Sequence, residues 1–157
     1  MMFAIIPNLT RKNAAQVTRL ICAKLDELGA AYSLPLSTEN VFSDTKAEFL
    51  PEKELLGGCE AVITVGGDGT IIHSAKKAAV YSKPVLGINA GRLAFMAGLE
   101  IHELDLLEKL ITGDYSMDKR MMLKTTAADG DSVQSGYSMN DSTVMRLSRL
   151  SRISEIN

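Results

Sequence analysis

The sequence predicts an α/β fold: an N-terminal open parallel sheet with flanking helices, followed by the start of a β-rich second domain. Three observations predict it. Ala61-Val62-Ile63-Thr64-Val65 is apolar and β-branched without alternation, as in a parallel strand covered on both faces. A helical stretch and a further strand, Pro84 to Asn89, follow within about 30 residues, the length of a βαβ unit. After Lys119-Arg120 the texture changes to consecutive extended segments with no helix between them.

The elements read in order as follows. Phe3 to Ile6 is a short apolar strand ending at the turn Pro7-Asn8. Thr10 or Asn13 caps the next helix, whose apolar positions Ala14, Val17, Ile21, Leu25 and Leu28 recur at helical spacing before Gly29 stops it. Tyr32 to Leu36 is a second strand. Ser37 to Pro51 is polar and without a clear period, which predicts a surface excursion with at most one short helix. Ile71 to Tyr81 reads as the helix of the βαβ unit, with a right-handed crossover. Leu104, Leu107 and Ile111 mark another helix, stopped by Gly113. Met121 to Thr126 and Val133 to Met139 are extended around a turn at Ala127 to Ser132, and Ser142 to Leu147 is a further strand. Domains are therefore expected at 1–119 (α/β) and 120–157 (β-rich). The second segment is too short to stand alone as an all-β domain.

Composition narrows the function. The 157 residues carry 17 Lys and Arg against 19 Asp and Glu, a net charge of −2. No bulk positive field exists to displace counterions, so nucleic acid is not the expected partner. Aromatic residues make up 5% and Trp is absent, which weakens any stacking platform for single strands. Apolar runs fall short of the roughly 20 residues of a membrane helix, and no basic flank with a long apolar stretch marks a signal peptide. Cys22 and Cys59 match no metal-ligand or disulfide spacing, so a cytoplasmic protein is expected.

Neither G-x-x-x-x-G-K-[ST] nor G-x-G-x-x-G after the first strand is present. Instead Gly66-Gly67-Asp68-Gly69-Thr70 follows the buried strand directly. Its glycines allow close backbone approach, and the helix N-terminus offers free N–H groups and partial positive charge, a combination that favours phosphate. Asp68 is out of place beside bound phosphate unless it has a task. It is a proton acceptor for an attacking hydroxyl, a magnesium contact, or the cap of a tight turn. Asn89-Ala90-Gly91 ends the next strand at the same sheet edge, where Asn89 either holds ribose hydroxyls or stabilises the turn. Phe95 and Met96 suit an adenine face or the core. Asn140-Asp141 suits a ribose diol or an ordinary polar turn. His73 and Lys76-Lys77 read more simply as helix surface.

Taken together, Gly66-Gly67-Asp68-Gly69-Thr70, Gly87-Ile88-Asn89-Ala90-Gly91-Arg92-Leu93-Ala94-Phe95 and Asn140-Asp141 resemble the motifs of the NAD kinase family in order and spacing. Pro7-Asn8 with Lys12 resembles that family's first loop. The resemblance implies a kinase moving a phosphoryl group from ATP or polyphosphate to the adenosine-ribose 2′-hydroxyl of NAD, with Mg2+ or another divalent cation. It implies Asp68 as the base, and Gly67, Gly69 and Thr70 as phosphate contacts. It also implies Phe95 and Met96 beside adenine, Asn140 and Asp141 on the other ribose, and a homo-oligomer. Ala94 stands where the family usually has Gly, and Asp141 where it usually has Glu. The family's downstream Thr-Gly-Ser-rich segment has no counterpart before Asn157, so the chain is expected to lack the C-terminal part. The glycine-Asp motif is shared with diacylglycerol- and sphingosine-type lipid kinases, one alternative. An inactive dinucleotide-binding fragment is the other.

Overall fold

The computed structural model describes residues 2–91, 94–129, 132–139, 143–145 and 153–155. They form two compact units, Met1–Met117 and Asp118–Asn157.

The first unit opens with strand β1 (Met2–Pro7), helix α1 (Ala14–Glu27) and strand β2 (Ala31–Pro35). Helix α2 (Glu39–Phe42), strand β3 (Glu48–Leu50) and helix α3 (Glu52–Gly58) follow. Strand β4 (Ala61–Gly66), helix α4 (Asp68–Val80) and strand β5 (Val85–Asn89) make the βαβ unit, and helix α5 (Leu107–Thr112) comes after a 3₁₀ segment, Ile101–Leu106. The five strands form one all-parallel sheet in the order β3-β2-β1-β4-β5. The order reverses between β1 and β4, and the carboxyl edge at such a switch point is where open α/β sheets bind ligands.

Alternation along the strands divides the core between the two faces. Phe3, Ile5, Ile63 and Val65 share one cluster with Val17, Ile21, Leu25 and Leu107. Ala4 and Val62 share the other with Leu55, Leu56 and Ala78. Thr64 is buried on β4, and its hydroxyl lies 2.9 Å from that of Ser74, which satisfies both polar groups and pins α4 to the sheet.

Several sequence expectations are corrected. Asn13 holds the N-cap position of α1 but makes no side-chain capping bond, and the Thr10 hydroxyl is spent on Asn8. The 37–51 stretch is no mere excursion. It supplies the edge strand β3, and Phe42 is fully buried in the main core. Val41, Ala47 and Phe49 pack against the same core, and the polar residues among them hide the pattern from a periodicity search. Helix α3 was not expected, and α4 begins at Asp68 instead of Ile71, so the glycine motif forms the first turn of the helix. Gly29 (φ 66°) and Gly113 (φ 76°) take the left-handed conformation that ends α1 and α5, as expected.

In the second unit, β6 (Leu123–Asp129) and β7 (Ser132–Ser138) form an antiparallel hairpin pairing Leu123 with Ser138 and Asp129 with Ser132. Pairing therefore continues through Ala127, Ala128, Asp129 and Ser132, where a turn was expected. Strands β8 (Thr143–Met145) and β9 (Ile153–Glu155) pair antiparallel as a separate ribbon. Among the described residues no helix is long and apolar enough to cross a membrane.

Candidate active site

The site is built at the carboxyl edge of β1, β4 and β5. Gly67 is extended (φ −101°, ψ −174°) and occupies the N-cap of α4. Its carbonyl accepts from Thr70 and Ile71, which leaves the N–H groups of Asp68 and Gly69 with no acceptor inside the helix. The positive end of the helix dipole lies there. Gly66 must be glycine because a Cβ would stand 2.5 Å from the Thr70 hydroxyl oxygen. The same tight approach occurs at Gly87, where a Cβ would meet the Ile71 side chain at 2.5 Å.

The loop after β1 closes over this turn. The Asn8 backbone N–H donates to the Val65 carbonyl (2.9 Å), and its side-chain amide donates to the Thr70 hydroxyl (2.8 Å). A groove with a cavity volume of about 510 Å³ lies alongside, lined by Pro7, Asn8, Gly69, Thr70 and His73 among others. The Arg11 guanidinium lies 3.9 Å from where a Cβ on Gly67 would stand. Sequence reasoning passed over Arg11; its one signal was its place beside Lys12, just after β1. His73, read as helix surface, is exposed and also lines the groove.

Asp68 is half-buried and does not cap its own helix. Its carboxylate reaches to the segment following β5, accepting the Met96 N–H at 2.8 Å and the Phe95 N–H at 3.2 Å. Each oxygen keeps a further lone pair. Phe95 itself is 82% exposed, so it is a surface aromatic and not core. Met96 is half-buried. Ala94 is buried with ordinary backbone, since Ser82 is the one non-glycine with positive φ among the described residues.

Asn89 lies deeper, 2% exposed, with its amide donating to both Glu100 carboxylate oxygens (3.1 Å each) and its carbonyl accepting the Gly91 N–H (2.8 Å). The structure thus brings Asp68 together with Phe95 and Met96, and Thr70 together with Asn8. Asn89 spends its polar groups inside the loop. Asn140 and Asp141 lie outside the described residues. Among the described residues no group of three or more His, Cys, Asp or Glu side chains is arranged to hold a metal ion.

Comparison with known proteins places this arrangement. The ATP-NAD kinase N-terminal domain matches residues 4–115. A protein named NAD kinase from Natranaerobius thermophilus is 32% identical over 155 residues, 97% of this chain and 53% of its own length. One from Chlorobium phaeovibrioides is 34% identical over 143 residues, 90% of this chain and 49% of its own length. The chain thus spans about half the length of these curated relatives. The crystal structure of yeast NADH kinase complexed with NADH shares the fold with a TM-score of 0.78 at 19% identity, over 90% of this chain and 47% of that one. With its residues 4–115 matched, the chain belongs to the ATP-NAD kinase N-terminal domain family.

Proposed function

We propose that this chain carries the base and the phosphate-binding turn of a kinase that moves a phosphoryl group from ATP or polyphosphate to the adenosine-ribose 2′-hydroxyl of NAD, forming NADP. One observation carries the reading. Asp68 stands on the first residue of α4 at the switch-point edge, and its carboxylate is oriented by two backbone N–H groups next to an exposed aromatic ring. A secondary alcohol ionises too weakly to attack unaided near neutrality, so a positioned carboxylate takes the proton as the new O–P bond forms and the bond from that phosphorus to the donor's bridging oxygen breaks, releasing ADP or a polyphosphate one unit shorter. The free N–H groups of the helix turn and the Thr70 hydroxyl hold phosphate oxygens. Gly67 and Gly69 let those oxygens approach the backbone. Phe95 and Met96 border adenine, while Asn140 and Asp141 take the other ribose. Asn89 acts from inside the loop.

Magnesium binds largely through substrate phosphates, so it would be held by the donor phosphates seated at the α4 turn, which leaves Asp68 for the proton. Such an ion neutralises charge on the donor phosphates. On the family likeness we also read the protein as cytoplasmic and homo-oligomeric.

The test is NADP formation from NAD, ATP and magnesium by the wild-type chain and by Asp68→Asn. Loss of turnover by about 10²-fold or more, with NAD binding retained, supports the base role. Unchanged turnover overturns it. Because the chain spans about half of its relatives, a second reading is a dinucleotide-binding lobe. That reading predicts stabilisation of the chain by NAD without turnover.

A further inference from the structure

The segment leaving β5 returns to it. The N–H groups of Gly98 and Leu99 donate to the Gly87 carbonyl (2.9 and 3.2 Å), and the Asn89 N–H donates to the Leu99 carbonyl (3.0 Å). Leu99 thereby runs beside Ile88 as a parallel bridge. The two ends of the excursion are clamped together, and Glu100 is the first residue past the clamp. Its carboxylate accepts from the buried Asn89 amide with both oxygens, while its own N–H donates to the Glu103 carboxylate at 2.8 Å. The other side of Asn89 takes the Gly91 N–H at 2.8 Å. At the far side of the same excursion, Phe95 and Met96 present the N–H groups that hold Asp68.

We propose that Glu100 is a positioning residue for Asp68. It acts through Asn89 and the paired strand end at Gly87, Gly98 and Leu99 to fix the position of Met96 and Phe95, whose N–H groups orient the Asp68 carboxylate. The description of Asp68 as the base rests on the reading above; the mechanical link from Glu100 to Asp68 does not. The chemistry suits a carboxylate. The Asn89 amide offers two donors, and a carboxylate meets them with acceptors only. A glutamine at this position turns one acceptor into a donor that faces a donor. Bonds to an ionised acceptor are also the stronger kind, which suits a joint that must hold one loop geometry.

The test uses the 157-residue chain, labelled with ¹⁵N, and compares the Phe95 and Met96 amide proton shifts of variants at one neutral pH. Asp68→Asn should move both amides away from their wild-type shifts, because a neutral side chain accepts more weakly than a carboxylate. In a Glu100→Ala background that change should shrink at least twofold while the amides of β1 and β4 keep their wild-type shifts. A Glu100→Gln background should fall between the two, and it serves as the readout if Glu100→Ala does not fold. A change of undiminished size in Glu100→Gln and in any folded Glu100→Ala overturns the proposal. So does an Asp68→Asn chain in which neither amide moves. No turnover is read, so unchanged NADP formation in Asp68→Asn would remove the base role and leave this result standing.

Discussion

The side-chain amide of Asn8 donates to the hydroxyl of Thr70 at 2.8 Å, joining positions 62 residues apart at the point where the sheet order reverses. The Asn8 side-chain oxygen also accepts from the Thr10 backbone N–H and hydroxyl, so one residue shapes the first loop and anchors the glycine turn. A double-mutant cycle with Asn8→Ala and Thr70→Val isolates the long-range bond. Urea unfolding should give a coupling of about 0.5–1.5 kcal/mol. Additivity within about 0.3 kcal/mol would show that the contact carries no stability.

The glycines differ in what surrounds them. Gly66→Ala drives a Cβ into the Thr70 side chain, all of which lies within 2.8 Å of the new atom. Thr70 is branched at Cβ and cannot swing clear, so the expected cost is about 1–3 kcal/mol. Gly57 lies inside α3 with nothing within 4 Å of an added Cβ. Gly57→Ala should stabilise by up to about 1 kcal/mol through the gain in helix propensity. Equal effects at the two positions in thermal unfolding would contradict the packing described for the glycine turn.

Phe42 tests whether the 37–51 stretch belongs to the core. Its ring is fully buried, and the Arg19 guanidinium stacks 5.2 Å from its centroid. Phe42→Ala should destabilise by about 3–5 kcal/mol, whereas Leu36→Ala, at a half-exposed position nearby, should stay within about 1 kcal/mol. Denaturant midpoints for the two variants decide the matter.

Alkaline stability should report the two buried thiols. Burial pushes the Cys22 thiol from 9.0 up to about 12, and burial raises Cys59 as well. Above the unfolded value of 9.0 the unfolded thiol ionises while the folded one stays protonated. The unfolded state then binds fewer protons, so stability falls as the pH rises from 9 toward 12. The Cys22→Ala, Cys59→Ala double variant should show a flatter decline over that window. An unchanged slope would assign the alkaline loss to other groups.

Much of the first unit was legible because its signals are local. The β-branched run at Ala61 to Val65, the spacing of Val17, Ile21 and Leu25, and the stops at Gly29 and Gly113 each encode a backbone preference or a burial pattern within a few residues. The elements that escaped were those whose character comes from their neighbours. Strand β3 is three residues long and exists because β2 offers it an edge, and Phe42 is buried by contacts its own flanks do not announce. The site divides in the same way. The glycine motif is visible as residues, but nothing near Asp68 in the chain indicates that its partners are the N–H groups of Phe95 and Met96. Phe95, which fits a core pattern equally well, proved to be exposed.

By itself the sequence determined the fold class, the βαβ unit and the place of the glycine motif directly after β4, because hydrophobic periodicity, β-branching and glycine content act over short stretches. Only the tertiary structure decided which groups meet at the sheet edge. That included Asn8 on Thr70, Arg11 beside Gly67, Asn89 between Glu100 and Gly91, and the loop N–H groups on Asp68. Hydrogen bonds are directional and short-ranged, so partners distant in the chain are selected by how strands and loops pack, which no local pattern specifies.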